Sequence, residues 1–224
     1  MKSQKRRAPL TNLQRLAHRV EEYRLPVWPF DYAVQAQSLN DTQKFFREIV
    51  SEARRGCDDP KAKRVIEAAR RLYDAAREAA YPAGFQESFQ RLCTGDATGL
   101  EAAVAFLEAD PWFDESGYVK VKLIRHIKPP MLTPQYIARL QNVVLHMVET
   151  RHGQEFSTYK QLARKVDDVF LREQLTQRLS SGDADTQRRA RWVLEALAQK
   201  DSMEQGKQKK GAAARKQSQE KTMP

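Results

Sequence analysis

The four histidines are the residues whose chemistry would most directly suggest a metal or acid–base site. No two of them have the HExxH spacing that places two imidazoles on one helical face. His146 and Glu149 are three residues apart and could face together, but zinc needs three or four convergent ligands. The pattern favours surface or helix-capping histidines, and we expect no metal and no cofactor. The four are His18, His126, His146 and His152.

Other catalytic signatures are missing from the chain. The sequence has no GxSxG motif, no phosphate-cradling glycine loop and no dinucleotide-binding fingerprint. Its aspartates and glutamates stand at helix starts or beside arginines three or four positions away, as in solvated ion pairs. We therefore predict that the chain is not an enzyme. A hydrolytic or metal enzyme whose residues converge only in three dimensions is the third alternative for its function.

Two basic clusters could bind an anionic partner. Arg188 and Trp192 are four residues apart, so a guanidinium could stack on the indole one helical turn away. One interpretation is a groove for a phosphate backbone or an acidic peptide, and the other is a solvated helix face plus one buried tryptophan. A shared concave surface would favour the first interpretation. The clusters are Lys120, Lys122, Arg125, His126 and Lys128, and Arg188, Arg189 and Arg191 around Trp192.

The net charge of +10 is concentrated at the two ends of the chain. Residues 1–9 carry four basic and no acidic groups, and residues 200–224 carry seven basic and three acidic groups. Both ends are poor in large apolar side chains, so we predict a disordered basic arm over 1–9 and a disordered basic tail over 200–224. Such tails contribute to binding any polyanion, because counterion release does not depend on base identity.

Composition indicates the elements that must position these residues. With 9 Gly and 10 Pro in 224 residues, and many Ala, Glu, Gln, Arg and Leu, the chain favours helices, and we expect almost no strand. No apolar run is long enough to span a membrane, and no secretory segment follows the basic start. We expect a cytoplasmic protein that does not bind membranes. The two cysteines, Cys57 and Cys93, are interpreted as small buried hydrophobes.

Four helix-start signals recur at intervals of 37, 37 and 35 residues: Asp59-Pro60, Asp96, Thr133-Pro134 and Asp168. Asp or Thr caps the first backbone N–H groups, and Pro suits the first helical position. The interval is typical of stacked helical hairpins. We predict one helical-repeat domain over 10–199, an α-solenoid-like right-handed stack of about four hairpins. Its parts are an N-terminal cap 10–58 and hairpins 59–95, 96–132, 133–167 and 168–199.

Two irregular segments leave their role open. The prolines of Leu25-Pro-Val-Trp-Pro-Phe30 separate a predicted helix over 11–24 from one over 41–55. This segment is either an ordered strap that packs its aromatic residues or a docking segment. Trp112 and Phe113 follow the turn at Asp110-Pro111, where they are anchors for the turn or, if exposed, a binding hot spot.

The last hairpin resembles a repeat of the HEAT or armadillo-like class. The resembling stretch runs from Leu171 to Leu197: a leucine-rich helix, a turn with Asp183 and Asp185, and a helix ending in Val-Leu-Glu-Ala-Leu. Thr186-Gln187 stand where the family usually has a Val-Arg pair. The resemblance implies a curved stack with a surface for another macromolecule and no catalytic residue.

These observations predict a non-enzymatic binding or adaptor module whose partner is a protein. The alternative is a nucleic-acid-associated protein that binds phosphates through its two basic ends and through Lys122, Arg125, Arg188 and Arg189. The sequence leaves the oligomeric state open.

Overall fold

A computed structural model describes residues 11–25, 29–54, 59–150 and 156–220, with side chains described up to residue 202. This part of the chain holds ten α-helices, two short 3-10 helices and no strand, so the all-α prediction is confirmed. None of the described helices has both the length and the apolar character to cross a bilayer. The helices are α1 Asn12–Glu22, α2 Tyr32–Arg54, α3 Pro60–Ala79, α4 Phe85–Thr94, α5 Leu100–Ala109, α6 Ser116–His126, α7 Pro134–Thr150, α8 Phe156–Lys165, α9 Val169–Arg178 and α10 Ala184–Glu220.

All four predicted helix starts are confirmed. The Asp59 carboxylate accepts the Lys61 N–H at 2.8 Å, and Pro60 is the first residue of α3. Asp96 caps the 3-10 helix Ala97–Gly99, which leads directly into α5. Thr133 precedes Pro134 of α7, and Asp168 accepts the Leu171 N–H at the start of α9. These signals are local, because a side chain bonds a backbone group two or three residues later.

The predicted start of the second helix is wrong. Helix α2 begins at Tyr32 and not at Asp41, because the Asp31 carboxylate accepts the N–H groups of Ala33 and Val34 at 2.8 and 2.9 Å. Of the aromatic strap, residues 26–28 lie outside the described residues. Phe30 is partly exposed and meets the Tyr32 ring edge-on at 4.7 Å, which leaves the choice between strap and docking segment open.

The chain forms two compact units by internal packing. The first comprises Met1–Phe85 with Ala109–Ser116, and the second comprises Gln86–Glu108 with Gly117–Pro224. This division describes packing and not independent folding, so the single domain over 10–199 stays a prediction. The predicted solenoid stack also stays a prediction.

The first unit is built on a three-helix core. Helices α1, α2 and α3 pack against one another around a cluster of buried aliphatic side chains. Residues 109–116 join this unit through polar contacts: Asn40 donates to the Trp112 carbonyl at 2.8 Å, and Gln43 donates to Asp114 at 2.7 Å. Phe113 is buried against the edge of Tyr81. The core cluster is Leu16, Val20, Ile49, Ala53, Ala62, Val65 and Ala69.

The second unit is centred on α7 and α10. Helix α7 packs against α8, α9 packs against α10, and α10 also packs against α7 and α8. The 3-10 helix Ala97–Gly99 lies close to α4. A Cβ added to Gly99 would lie 2.1 Å from the Ser88 carbonyl oxygen and 2.7 Å from the Leu92 nitrogen. Only glycine fits this contact without movement of the backbone.

Lys165, at the end of α8, fastens that helix to α6. Its ammonium donates to the carbonyl oxygens of Ile124 and Ile127, each at 2.6 Å, and to that of Arg125 at 3.3 Å. The last carbonyls of a helix lack intrahelical partners and carry partial negative charge. A cation there donates hydrogen bonds to them and compensates that charge. Partial burial lowers the pKa of Lys165.

The basic tail differs from the prediction of disorder. Helix α10 continues to Glu220, through most of the segment 200–224. Lys, Gln, Glu and Ala dominate this stretch, and all four have high helix propensity. The predicted arm over 1–9 lies outside the described residues.

Candidate functional site

The residues of the predicted cluster on α6 differ in how far they are buried. Lys120 is fully buried, so its predicted role as a surface contact is wrong. Lys122, Arg125 and Lys128 are exposed. His126 is half-buried, with its ring edge-on to Phe89 at 6.4 Å. Three cations of this cluster therefore remain accessible to a partner.

The residues of the predicted cluster on α10 differ in the same way. The Arg188 guanidinium lies over the Trp192 ring at 5.3 Å, as the four-residue spacing predicts, and also pairs with Asp185 at 2.7 Å. Arg191 is exposed. Arg189 is buried, and its guanidinium donates to the carbonyl of Val148 at 2.6 Å and to that of Glu149 at 3.1 Å.

Arg189 is therefore a cap on the C-terminal end of α7, and its predicted role as a partner or phosphate contact is wrong. A buried guanidinium needs acceptors, and the last carbonyls of α7 supply them. Sequence spacing could not distinguish it from Arg188, because both occupy a strongly charged stretch of α10.

A small polar groove lies beside Trp192, between α8 and α10. It encloses about 260 Å³. Arg164 donates to the Ala196 carbonyl at 2.9 Å and to the Gln199 side chain at 3.1 Å, so its donors are engaged within the fold. Glu195 also lines this groove and would repel an anion there.

No histidine of the described residues belongs to a group of three or more metal-ligating side chains. His18 lies 3.2 Å from Glu22 on the exposed face of α1. Glu149, the candidate neighbour of His146, pairs with Arg178 at 2.6 Å. His152 lies outside the described residues. No group of three metal-ligating side chains was found in the described ranges.

Two phenols are too weakly acidic to serve as bases near neutral pH. Burial raises the pKa of Tyr32 to about 12, and burial raises the pKa of Tyr81 to about 12. Cys93 is a free, half-buried thiol on α4, and Cys57 lies outside the described residues.

The two residues of the predicted turn anchor have different environments. Phe113 is buried and packs on Tyr81, as an anchor would. Trp112 is 64% exposed, although its backbone carbonyl is held by Asn40. Exposed tryptophan is the residue most enriched at protein-binding hot spots.

A further candidate site, which the sequence analysis did not identify, is a groove between α2 and α3. We call it the α2–α3 groove, and it encloses about 520 Å³. Its floor is apolar and consists of Phe46, Val50 and Ile66. Its rim carries the exposed guanidinium groups of Arg47, Arg54 and Arg70, which we call the arginine rim, together with Ser51.

Helical spacing explains how α2 builds its half of the groove. Phe46 and Val50 are four residues apart, as are Val50 and Arg54, and Arg47 is seven residues before Arg54. Side chains at these spacings lie on one side of a helix. The stacking of Phe46 on Tyr73, with ring centroids 5.7 Å apart, fixes the register of α2 against α3.

Three carboxylates of α2 and α3 are paired with arginines outside the arginine rim. Glu48 and Glu52 both pair with Arg19 of α1, at 3.3 and 3.5 Å. Glu67 pairs with Arg71 on α3 at 2.8 Å. No carboxylate of the described residues lies within ion-pair distance of the arginine rim, which is therefore a concentration of positive charge around apolar surface.

A second groove lies between the starts of α1 and α3. It is mainly apolar, encloses about 540 Å³ and is lined by Leu13, Ala17 and Val65 among others. Its edges at Thr11 and Asp59 lead directly into residues 1–10 and 55–58, which lie outside the described residues. The α2–α3 groove adjoins undescribed residues at one lining position only, Arg54, which precedes residues 55–58.

No protein family, curated protein or solved structure matches this chain. The resemblance of Leu171–Leu197 to a HEAT or armadillo-like repeat stays a prediction.

Proposed function

We propose that this chain is a non-enzymatic helical binding module that recognises a protein partner. The observation that carries the proposal is the α2–α3 groove, in which an apolar floor is surrounded by three exposed arginines. Binding grooves for proteins combine apolar surface, which supplies burial energy, with polar groups that fix orientation. Arginine is enriched at such interfaces, because its guanidinium both packs and donates hydrogen bonds.

The apolar floor favours protein over nucleic acid as the occupant of this groove. Phosphate contacts depend on positive charge and release of counterions, and they gain nothing from aliphatic side chains such as Val50 and Ile66. An apolar side chain of a protein would remove the same surface from water.

Affinity purification from native lysate tests this proposal. The full chain is used as bait, with and without nuclease treatment, beside the variant Val50→Gln. We expect protein partners that survive nuclease and are depleted on the variant. Partners lost with nuclease, and retained equally by both baits, would contradict protein recognition through this groove.

A second candidate function is binding to nucleic acid through the second unit. Its specific support is the stacking of Arg188 on Trp192 next to the exposed Arg191, because nucleic-acid sites pair cations with aromatic faces. Lys122 and Arg125 add exposed positive charge on α6. The two basic ends of the chain would contribute further charge.

Salt titration separates the two functions. Binding of phosphates should weaken steeply between low and physiological salt, whereas the part of the affinity that comes from the apolar floor should change little. Removal of residues 1–9 and 203–224 then tests the contribution of the basic ends. The cut should follow Ser202, because Asp201 pairs with Arg172 at 2.9 Å and Lys200 pairs with Asp167 at 3.4 Å.

A further inference from the structure

We infer that the α2–α3 groove binds an acidic amphipathic helix of a partner protein, with apolar side chains on the groove floor and carboxylates against the arginine rim. This inference rests on the proposed function and specifies the chemistry of the partner.

The apolar component comes from the uncovered side of the α2–α3 hairpin. Helix α1 covers the other side, where Phe45 stacks on Tyr23 with ring centroids 4.5 Å apart and Ile49 is fully buried. On the groove side, Val50 and Ile66 remain half-buried, and no described segment covers them completely. The floor therefore has apolar surface to offer to a partner.

The shape favours a helical occupant. Two packed helices leave an elongated furrow between them, and an amphipathic helix fills such a furrow with residues spaced three and four apart. An extended peptide binds best along the open edge of a β-sheet, and the described residues contain no sheet.

Charge complementarity specifies the acidic character. Glu48 and Glu52 are held by Arg19, and Glu67 is held by Arg71, and no carboxylate of the described residues forms an ion pair with the arginine rim. A basic segment would meet Arg47, Arg54 and Arg70 as like charges. An acidic segment would supply the carboxylates that guanidinium groups bind in bidentate fashion.

The test uses the full chain and three fluorescein-labelled probes in anisotropy titrations. The first probe is a designed helix of about 18 residues, or five turns, with leucines on one face and glutamates beside them. The second has the same leucines with lysines in place of the glutamates. The third is a single-stranded oligonucleotide of about 20 nucleotides, longer than a typical single-strand footprint.

Two charge variants locate the binding. The double variant Arg47→Glu/Arg70→Glu reverses one rim arginine on each helix. Its matched control, Lys44→Glu/Arg64→Glu, makes the same change in net charge at exposed positions of the same helices that do not line the groove. Both positions of each variant are exposed, so circular dichroism should show that all these proteins remain folded.

We expect the acidic helix to bind, and the rim variant to weaken it by about tenfold or more, while the control changes it by less than about threefold. Val50→Gln should also weaken it, because it replaces apolar floor without touching the arginines. No binding of the acidic helix, or equal effects of rim and control variants, would overturn the inference.

The remaining outcomes separate this inference from the broader proposal. If the acidic and basic helices bind equally and both depend on Val50, the acidic character is wrong and protein recognition stands. If only the oligonucleotide binds and Val50→Gln has no effect, both the inference and the proposed protein function fail.

Discussion

The arginines of the α2–α3 groove and three arginines of the second unit, Arg139, Arg172 and Arg189, are chemically identical but have different surroundings. In the second unit, Arg139 binds Glu101 and Glu108, and Arg172 binds Asp167 and Asp201. In the groove, the arginine rim is exposed and has no described carboxylate within reach. Pairing and burial, and not residue type, therefore separate an arginine that maintains the fold from one that is available to a partner.

The largest change in stability expected from this comparison follows from removal of the Arg189 side chain. Its side chain is 5% exposed and satisfies the carbonyls of Val148 and Glu149. We expect Arg189→Ala to lower the free energy of unfolding by about 3 kcal/mol, because charged hydrogen bonds are lost and buried carbonyls are left without donors. Urea denaturation followed by circular dichroism measures this change.

The neighbouring exposed residue supplies the control for Arg189. Arg191→Ala removes the same side chain two positions later and should change stability by no more than about 0.5 kcal/mol. Similar losses for both variants would mean that the fold does not depend on the capping of α7 by Arg189.

The next largest effect should be a loss of stability of the second unit at acidic pH. The hydrogen bond from Arg139 lowers the pKa of Glu101, the hydrogen bond from Arg172 lowers that of Asp201, and the hydrogen bond from Thr186 lowers that of Asp183. A carboxyl with a lower pKa when folded binds fewer protons in the folded state than in the unfolded state. Its stabilisation is complete above the unfolded pKa, about 4.3 for Glu, and is lost as pH falls through the folded value.

We therefore expect the urea midpoint to fall between about pH 5 and about pH 3, a range that spans the unfolded carboxyl pKa values. The decrease should be smaller in Arg139→Ala, since the Glu101 carboxyl then has no guanidinium to lower its pKa. An unchanged pH profile in the variant would show that Arg139 does not couple acid to stability.

The smallest effect should come from the arginine rim. Arg70→Ala should leave the free energy of unfolding within about 0.5 kcal/mol of the parent chain, because exposed positions without specific contacts tolerate truncation. The same urea experiment measures it. A loss comparable to that of Arg189→Ala would remove the distinction between the two regions and indicate that Arg70 maintains the fold.

Local signals explain which parts of the fold were predictable. Asp59-Pro60 and Asp168 identify helix starts because the capping residue and its backbone partner are close in sequence. The same local logic failed at α2, where Asp31 and Asp41 both resemble starts, and only the bonds to Asp31 show which one is used. The charge of the tail suggested disorder, but its helix-forming residues continue α10.

The candidate site required information that the sequence does not hold locally. Arg47 and Arg70 are 23 residues apart, and only the packing of α2 on α3 brings both to one groove. The reverse holds for Lys120 and Arg189, which lie in charge-rich stretches typical of solvated faces but are buried in the structure. A signal was present in the spacing of Phe46, Val50 and Arg54, although it also fits an ordinary amphipathic helix.

The hydrogen bonds of Lys165 make the reactivity of its amine depend on the packing of α8 against α6. The Lys165 amine is held by three carbonyl oxygens, whereas Lys160, five residues earlier in the same helix, has no such hydrogen bonds in the described structure. Acylation of Lys165 requires these hydrogen bonds to break, so it should be faster whenever α6 and α8 separate. The rate at which that one amine acquires a label reports how often this junction opens.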